Sequence, residues 1–361
     1  MEPVMEVVTR NSTIRIQPVH TSRLPQLDVN HIPFGRIFSD HMLVAHYRNG
    51  AWEAPEIMPY GPLPIAPSVS ALNYGQAIFE GMKAYRAPGG GTLLFRPEKN
   101  LQRLNHSAAR LSMPALPEAL FLEGLSELVR LDQGWVPPAD KGSLYIRPVM
   151  FASDEFIGVR ASESYIFSII TCPVGPYYAE PVSLLATKDY IRAAIGGTGS
   201  AKTAGNYAAA MLPDKLAKAQ GYNNVLWLDA HEHKYVEECG TMNIFFIIDD
   251  VVVTPRLGGT ILPGITRNSC IQLLRDNGYK VETRPISIYE IQEAYHEGRL
   301  KDTFGVGTAA VVTQVARIGF GGDDMVLPPV AERRTSNWLK QTLLHIQTGA
   351  AEDPYGWVVT V

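Results

Sequence analysis

Gly196-Gly197-Thr198-Gly199-Ser200-Ala201-Lys202-Thr203, followed at once by Ala204-Gly205-Asn206-Tyr207, is the stretch that decides how the rest of the chain is read. It nearly matches the phosphate loop G-x-x-x-x-G-K-S/T, with Ala201 where the last glycine belongs. That glycine lets the backbone approach phosphates closely, and a Cβ interferes. The other version is a flexible glycine turn that presents one lysine and, five residues later, one tyrosine. The first would make a P-loop nucleotide hydrolase; the second makes Lys202 an amine for imine chemistry. Apolar runs ending in acid, Phe245 to Asp250 and Val225 to Asp229, would supply the hydrolase with a magnesium ligand. Such runs also end by chance in acid in many α/β proteins, and Ala201 weighs against the nucleotide. Taken alone, Lys202 would be an ordinary solvated lysine.

At 361 residues, with 46% hydrophobic and 19% charged residues, the chain is long enough for two globular domains. A formal net charge of −4, with Lys and Arg scattered, leaves no basic footprint for nucleic acid or a membrane surface. Cys172, Cys239 and Cys270 lie far apart without C-x-x-C spacing, so they read as reduced packing residues, with no metal site. No apolar run reaches the ~18 residues of a membrane span. The acidic start carries no signal-peptide pattern, which makes the cytoplasm the default location.

Residues 1 to about 35 read as a polar, irregular arm, and Met42 to Tyr47 as a strand. Leu101, Leu104, Ala108 and Leu111 have helical spacing over 98–111, with Pro97 at the mouth. A second helix is expected over 119–131, then buried strands over 144–151 and 165–171. Three prolines and a glycine within 172–181 mark the best boundary. Beyond it come an Ala-rich helix over 206–220 that Pro213 must kink or bound, strands over 225–229 and 243–248, and a helix over 266–277 stopped by Gly278. The expected organisation is α+β (mixed α/β): a smaller domain 1–173, a loop 174–182 and a larger domain 183–361.

Three further segments bear on Lys202. Leu262-Pro263-Gly264 opens a helix whose Ile265 and Thr266 N–H groups stand free at its positive end, which suits an anion. Gly305 to Ala309 is a second glycine-rich turn, carrying the Thr308 hydroxyl. Glu237 and Glu238 precede a glycine turn between strands; on their own they read as a solvated hairpin. Together these match what a pyridoxal phosphate enzyme requires: an amine, anion donors, an acid for the pyridine nitrogen and a donor for the phenolic oxygen.

Lys202-Thr-Ala-Gly-Asn-Tyr207, Glu238-Cys-Gly-Thr-Met-Asn-Ile-Phe245, Leu262-Pro-Gly-Ile-Thr-Arg267 and Gly307-Thr-Ala309 resemble fold-type IV pyridoxal phosphate enzymes, and among them the branched-chain amino acid aminotransferases. Phe34 to Met42, Asn73-Tyr-Gly75, Phe79 to Tyr85, Phe95-Arg-Pro97 and Leu144 to Pro148 extend the resemblance, in order, over most of the chain.

The resemblance implies a two-domain enzyme with its cofactor site at the domain interface. Lys202 would carry the cofactor as an imine and later shuttle the proton. Tyr207 would bond the phenolic oxygen and Glu238 the pyridine nitrogen. Arg103 would meet the phosphate with the Ile265 and Thr266 amides and Thr308, while Leu262 packs on the ring. By itself Arg103 would read as a surface residue. Thr241 and the Thr308-Ala309 backbone would take the substrate α-carboxylate. Phe34, Tyr74, Phe79, Tyr145 and Tyr177 would line the side-chain pocket, joined by Ile157 and Val159 from the neighbouring subunit of a homodimer. Arg147 would meet the γ-carboxylate of glutamate, although it could also be a buried ion pair.

The implied activity is ping-pong transfer of an amino group from L-leucine, L-isoleucine or L-valine to 2-oxoglutarate, giving branched 2-oxo acids and glutamate. D-amino acid aminotransferases and aminodeoxychorismate lyases share Lys202 and Glu238 and stay open as alternatives, as does, more remotely, the nucleotide hydrolase. Two departures from the family pattern stand out. Ala310-Val-Val-Thr313 replaces the redox C-x-x-C that some members carry, and the loop from Pro173 to Pro181 is shorter than in some relatives.

Overall fold

A computed structural model describes residues 5–8, 13–175 and 180–361, of which 5–8 are described by their backbone alone. The chain forms two compact units. The first comprises Met1–Tyr177, Lys202–Ala204 and His345–Val361; the second comprises Tyr178–Ala201 and Gly205–Leu344.

The first unit is built on an 11-stranded sheet. Its centre is the long hairpin Ser143–Ala152 with Tyr165–Val174, paired antiparallel over its whole length. His41–Arg48 joins one side of this hairpin, and Met82–Arg86 followed by Thr92–Phe95 joins the other. Pro97–Arg110 and Glu118–Leu131 are helices with apolar residues every three or four positions. Leu101, Leu104, Ala108, Phe121, Leu125 and Leu128 bury that face in one core with Leu43, Phe167 and Ile169 of the sheet.

Two features differ from the expectation. The N-terminal arm is not irregular throughout: Thr13–Ile16 is a strand lying parallel to Glu56–Pro59, with Ile14 and Ile16 buried. Period-two alternation with Thr13 and Arg15 drives this, too short a run to stand out among polar neighbours. The expected second domain also gives up its last segment. Val358–Thr360 pairs antiparallel with Thr92–Phe95, so residues 345–361 belong to the first unit. There Trp357 packs edge-on against Phe95, with ring centroids 5.7 Å apart.

The second unit holds a 9-stranded mixed sheet running Val236–Cys239, Asn224–Leu228, Val182–Ala186, Val311–Phe320, Leu300–Gly307, Asn243–Ile248, Val251–Thr254 and Lys280–Thr283, with Asp323–Val326 pairing off this path with Val311–Phe320. Asn224–Leu228 and Asn243–Ile248 are buried at every position, as continuous apolar runs in a covered sheet require. The helix Ala204–Ala219 continues through Pro213 rather than stopping there. Ile265–Asp276 forms the anticipated helix, and Gly278 follows it at φ 81°. Asp249 and Asp250, the acid of the nucleotide version, form the exposed turn between two antiparallel strands. Among the described residues no helix is long and apolar enough to cross a membrane, and no cluster of His, Cys, Asp or Glu could hold a metal ion. All three cysteines are buried and free.

Candidate active site

Lys202 sits on backbone fixed from both sides. Its N–H donates to Ser107 Oγ at 2.9 Å, and its carbonyl accepts from the Phe79 N–H at 3.1 Å. Ser107 in turn donates to the Arg103 carbonyl one helical turn back, at 2.9 Å. The ammonium reaches the Phe79 ring, with Nζ 4.7 Å from the centroid. Arg147 uses the same ring at 4.6 Å and also stacks on Tyr145 at 5.3 Å. Cations over aromatic faces gain electrostatically where water is scarce. Arg147 Nη2 donates to the Tyr145 hydroxyl at 2.9 Å, whereas its Nε is buried with no hydrogen-bond partner. Phe34 meets Tyr145 edge-on at 5.4 Å. A Cβ at Gly81 would collide with the Tyr145 hydroxyl, so any side chain there would push the Tyr145 ring aside. Tyr74 donates from its hydroxyl to the Ile157 carbonyl, and the side chains of Ile157 and Val159 are exposed.

Beside this group lies a buried ion pair. Glu80 is fully buried, and Arg103 grips both its oxygens, Nε to Oε1 at 2.7 Å and Nη2 to Oε2 at 2.8 Å. Asn100, one turn before Arg103 on the same helix face, adds a bond to Oε2 at 2.8 Å. Burial alone would raise the Glu80 pKa. Arg103's charge and hydrogen bonds, the Lys202 charge and Asn100 outweigh it and hold the carboxyl below its ordinary range. The helix that carries Asn100 and Arg103 begins at Arg96, a non-glycine residue at φ 51°. The Arg96 N–H donates to the Trp357 carbonyl at 2.7 Å, and its guanidinium lies over the Trp357 ring at 5.1 Å.

In the second unit, Glu238 is buried on the strand Val236–Cys239, not solvated as a lone hairpin would be. Its Oε1 accepts the Leu262 N–H at 2.6 Å, and its Oε2 pairs with Arg192 Nε at 2.9 Å. Arg192 Nη1 spans two further carbonyls, Thr260 at 2.5 Å and Gly199 at 3.1 Å. Arg192 therefore ties the carboxylate to the glycine turn, and a Cβ at Gly199 would strike the Thr260 carbonyl. Asn206 braces the same turn, donating to the Thr198 and Ala201 carbonyls at 2.9 Å each and accepting from the Thr198 hydroxyl at 2.6 Å. One residue on, Tyr207 is half-buried in the first turn of its helix.

The helix Ile265–Asp276 starts at Gly264, which supplies no side-chain cap, so the Ile265 and Thr266 N–H groups lack an intrahelical acceptor. A Cβ at Gly264 would collide with the amide oxygen of Asn243, whose Nδ2 donates to the Leu262 carbonyl at 3.0 Å. Leu262 itself is buried. Thr308 and Ala309 lie in the tight connection between Leu300–Gly307 and Val311–Phe320, and Val311 beyond them is held at φ 58°. Such a φ is strained for a β-branched residue. Thr241 is exposed in the turn after Cys239.

The model of the amino-transferase class IV family matches residues 77–318. The chain is 47% identical to branched-chain-amino-acid transaminase 1 of Bacillus subtilis, across 92% of this chain and 95% of that protein. The chain belongs to the branched-chain type of class IV aminotransferases. Solved structures agree with this assignment. A branched-chain aminotransferase of Thermoproteus uzoniensis with norvaline superposes with TM-score 0.72 and 27% identity, covering 89% of this chain and 99% of that one. The T.th. branched-chain amino acid aminotransferase, solved with pyridoxamine 5'-phosphate, gives TM-score 0.69 and 28% identity, covering 88% and 98%.

In this class IV aminotransferase, Lys202, Phe79, Arg147, Tyr145 and Phe34 come together within the first unit, with Arg103 anchored by Glu80. Glu238 and Leu262 share a hydrogen bond within the second. Tyr177 lies outside the described residues. Arg192 and Glu80 escaped the sequence reading. Arg192 sits ten positions before Lys202 in a segment without periodicity, and Glu80 follows Phe79 with no spacing to mark it, so only the fold brings out either.

Proposed function

We propose that the protein transfers the amino group of L-leucine, L-isoleucine and L-valine to 2-oxoglutarate, yielding branched 2-oxo acids and L-glutamate. One observation carries this reading. The Lys202 amine and the Arg147 guanidinium stand over a single Phe79 ring, at 4.7 and 4.6 Å, with Tyr145 and Phe34 alongside. An amine, an apolar aromatic wall and a cation with a buried free N–H are what a reaction needs when it accepts both branched aliphatic side chains and a dicarboxylate.

The residues also fit pyridoxal phosphate. Glu238 is a buried carboxylate bonded on both oxygens, suited to a cationic pyridine nitrogen, and the uncapped helix start at Gly264 suits a phosphate. When bound, pyridoxal phosphate supplies the electron sink that lets a Cα–H leave as a proton. The chain does the rest. Lys202 Nζ would bind the cofactor and take the Cα proton. Glu238 would hold the pyridine nitrogen and Tyr207 the phenolic oxygen. Arg103, the Ile265 and Thr266 amides and Thr308 would hold the phosphate, with Leu262 against the ring. Phe34, Tyr74, Phe79, Tyr145 and Tyr177 would enclose the branched side chain, Arg147 would pair with a γ-carboxylate, and Thr241 with Ala309 would take the α-carboxylate. The proposal includes a cytoplasmic homodimer in which Ile157 and Val159 complete the pocket of the neighbouring copy.

The test is glutamate formation from L-leucine and 2-oxoglutarate by protein loaded with pyridoxal phosphate, alongside its visible absorbance. Lys202→Ala is expected to abolish both the visible band and turnover. A yellow, active Lys202→Ala protein, or turnover of D-alanine in preference to L-leucine, would overturn the reading.

A further inference from the structure

Ser107 takes no step in the proposed reaction, yet its one hydroxyl joins two residues that do. It is fully buried on the helix Pro97–Arg110, one turn after Arg103. The Lys202 N–H can only donate, so Ser107 Oγ accepts it, at 2.9 Å. The hydroxyl proton is then committed to the Arg103 carbonyl, also at 2.9 Å. A helical serine bonded back to the preceding turn has its side-chain direction set by the helix itself. From the other side, the Lys202 carbonyl accepts the Phe79 N–H at 3.1 Å, and Thr203 bridges Ile78. The backbone that carries the amine is thus held between the strand Ala77–Phe79 and the helix, and Ser107 supplies the helix side.

We propose that Ser107 is a positioning residue. Its hydroxyl fixes the Lys202 backbone against the turn of helix that carries Arg103, so the amine stands at a set distance from the arginine that would hold the phosphate. The inference rests on the pyridoxal phosphate reading of the same site. Arg103 stays fixed without Ser107, because Glu80 grips its guanidinium with two bonds and Asn100 braces Glu80 from the same helix. Loss of the hydroxyl therefore frees the amine end and leaves the phosphate end in place. The bond to Phe79 remains, so Lys202 shifts rather than leaves. Alanine fills no more space than serine and suits a helix interior, which keeps Ser107→Ala folded.

The test has two arms, both on the full chain. In the first, two forms of the cofactor separate the two ends. Pyridoxal phosphate carries an aldehyde that condenses with the Lys202 amine, forming a C=N bond and releasing one water. Pyridoxamine phosphate carries an amine in that place and cannot condense. With Ser107→Ala the dissociation constant of pyridoxal phosphate should rise about tenfold, while that of pyridoxamine phosphate stays within about twofold, because a misplaced amine costs affinity only where it reacts. An equal rise for both forms would mean a general loosening of the site and would overturn the proposal, as would no change in either. A wild type that binds neither form would overturn the pyridoxal phosphate reading and this inference with it.

The second arm needs no cofactor and follows amide hydrogen exchange of the apoprotein, by mass spectrometry of peptides that contain Lys202. The Lys202 amide should exchange about tenfold faster or more in Ser107→Ala, since its acceptor is gone. Equal exchange in the two proteins would overturn the proposal. In turnover, kcat with L-leucine should fall about 10- to 100-fold while KM moves less than about threefold. The isotope effect with L-leucine deuterated at Cα should rise, because removal of that proton becomes the slow step. A raised KM with an unchanged isotope effect would refute the positioning role. Ser107→Thr keeps a hydroxyl that can bond back to the same carbonyl, so it should restore both the exchange rate and the binding ratio. A threonine variant as loose as the alanine one would show that the hydroxyl does not hold Lys202.

Discussion

Replacing Glu80 by Leu while keeping Arg103 leaves a guanidinium buried without its counter-charge. In the wild type that guanidinium makes two charge-assisted hydrogen bonds, at 2.7 and 2.8 Å, to a carboxylate with no exposure. Breaking such a pair from one side costs about 3–5 kcal/mol, because the remaining charge is uncompensated. Removing both partners together, as in Glu80→Leu/Arg103→Leu, should recover most of that loss. The coupling energy from the four-protein cycle is therefore expected at about 2 kcal/mol or more. Urea unfolding of the apoproteins measures it, using the transition of the first unit. The pH dependence has a defined sign. The folded pKa of Glu80 is depressed from its ordinary 4.5, so its contribution is present above about 4.5 and is lost as pH falls through the folded value. The gap between wild type and Glu80→Leu should shrink in acid. A single-variant cost under about 1 kcal/mol, or a gap that widens as pH falls, would refute the reasoning.

Arg147→Met keeps the length and removes the charge. It should raise the KM for 2-oxoglutarate by about 10- to 100-fold, while the KM for L-leucine changes by less than about threefold; initial rates with each substrate varied separate the two effects. Gly264→Ala drives a methyl into the Asn243 amide oxygen, and its stability should fall by about 1–3 kcal/mol in denaturant titration. Asp229 accepts backbone N–H groups from His231, Glu232, Lys234 and Tyr235, and its pKa is lowered to about 2 against the opposing effect of burial. Its stabilisation is present above its ordinary 3.8 and disappears as pH falls through about 2, so the thermal-midpoint difference between wild type and Asp229→Asn should be constant above pH 5 and shrink below pH 3.

The helices and central strands were legible because their apolar spacing repeats over many residues. Leu101, Leu104 and Ala108 announce a helix before any partner is known, and the run Asn243–Ile248 is apolar throughout after its first residue. The short strand Thr13–Ile16 was not legible, since two isoleucines do not make a period. Nor was the return of residues 345–361 to the first unit, because strand partnership between segments so far apart in sequence leaves no local trace. In the site, Lys202 and Glu238 announced themselves through glycine turns and a family resemblance. Glu80 and Arg192 did not, because their importance lies in burial and pairing: a charged residue in sequence looks solvated until the fold removes its water.

Trp357 lies almost at the end of the chain, yet it caps the start of the helix that carries Arg103, through the Arg96 backbone and side chain. During synthesis, the ribosome has made every other part of the first unit's sheet long before this strand emerges. That unit consequently cannot close this sheet edge or fix this helix start until residues 345–361 follow, after the whole of the second unit has been made. Without Trp357 and Val358–Thr360 the strand Thr92–Phe95 loses its partner on that side and the Arg103 helix loses its fastening at Arg96. The geometry of one buried arginine thus depends on a segment made after the entire second unit, and the unit that starts first is the last to be finished.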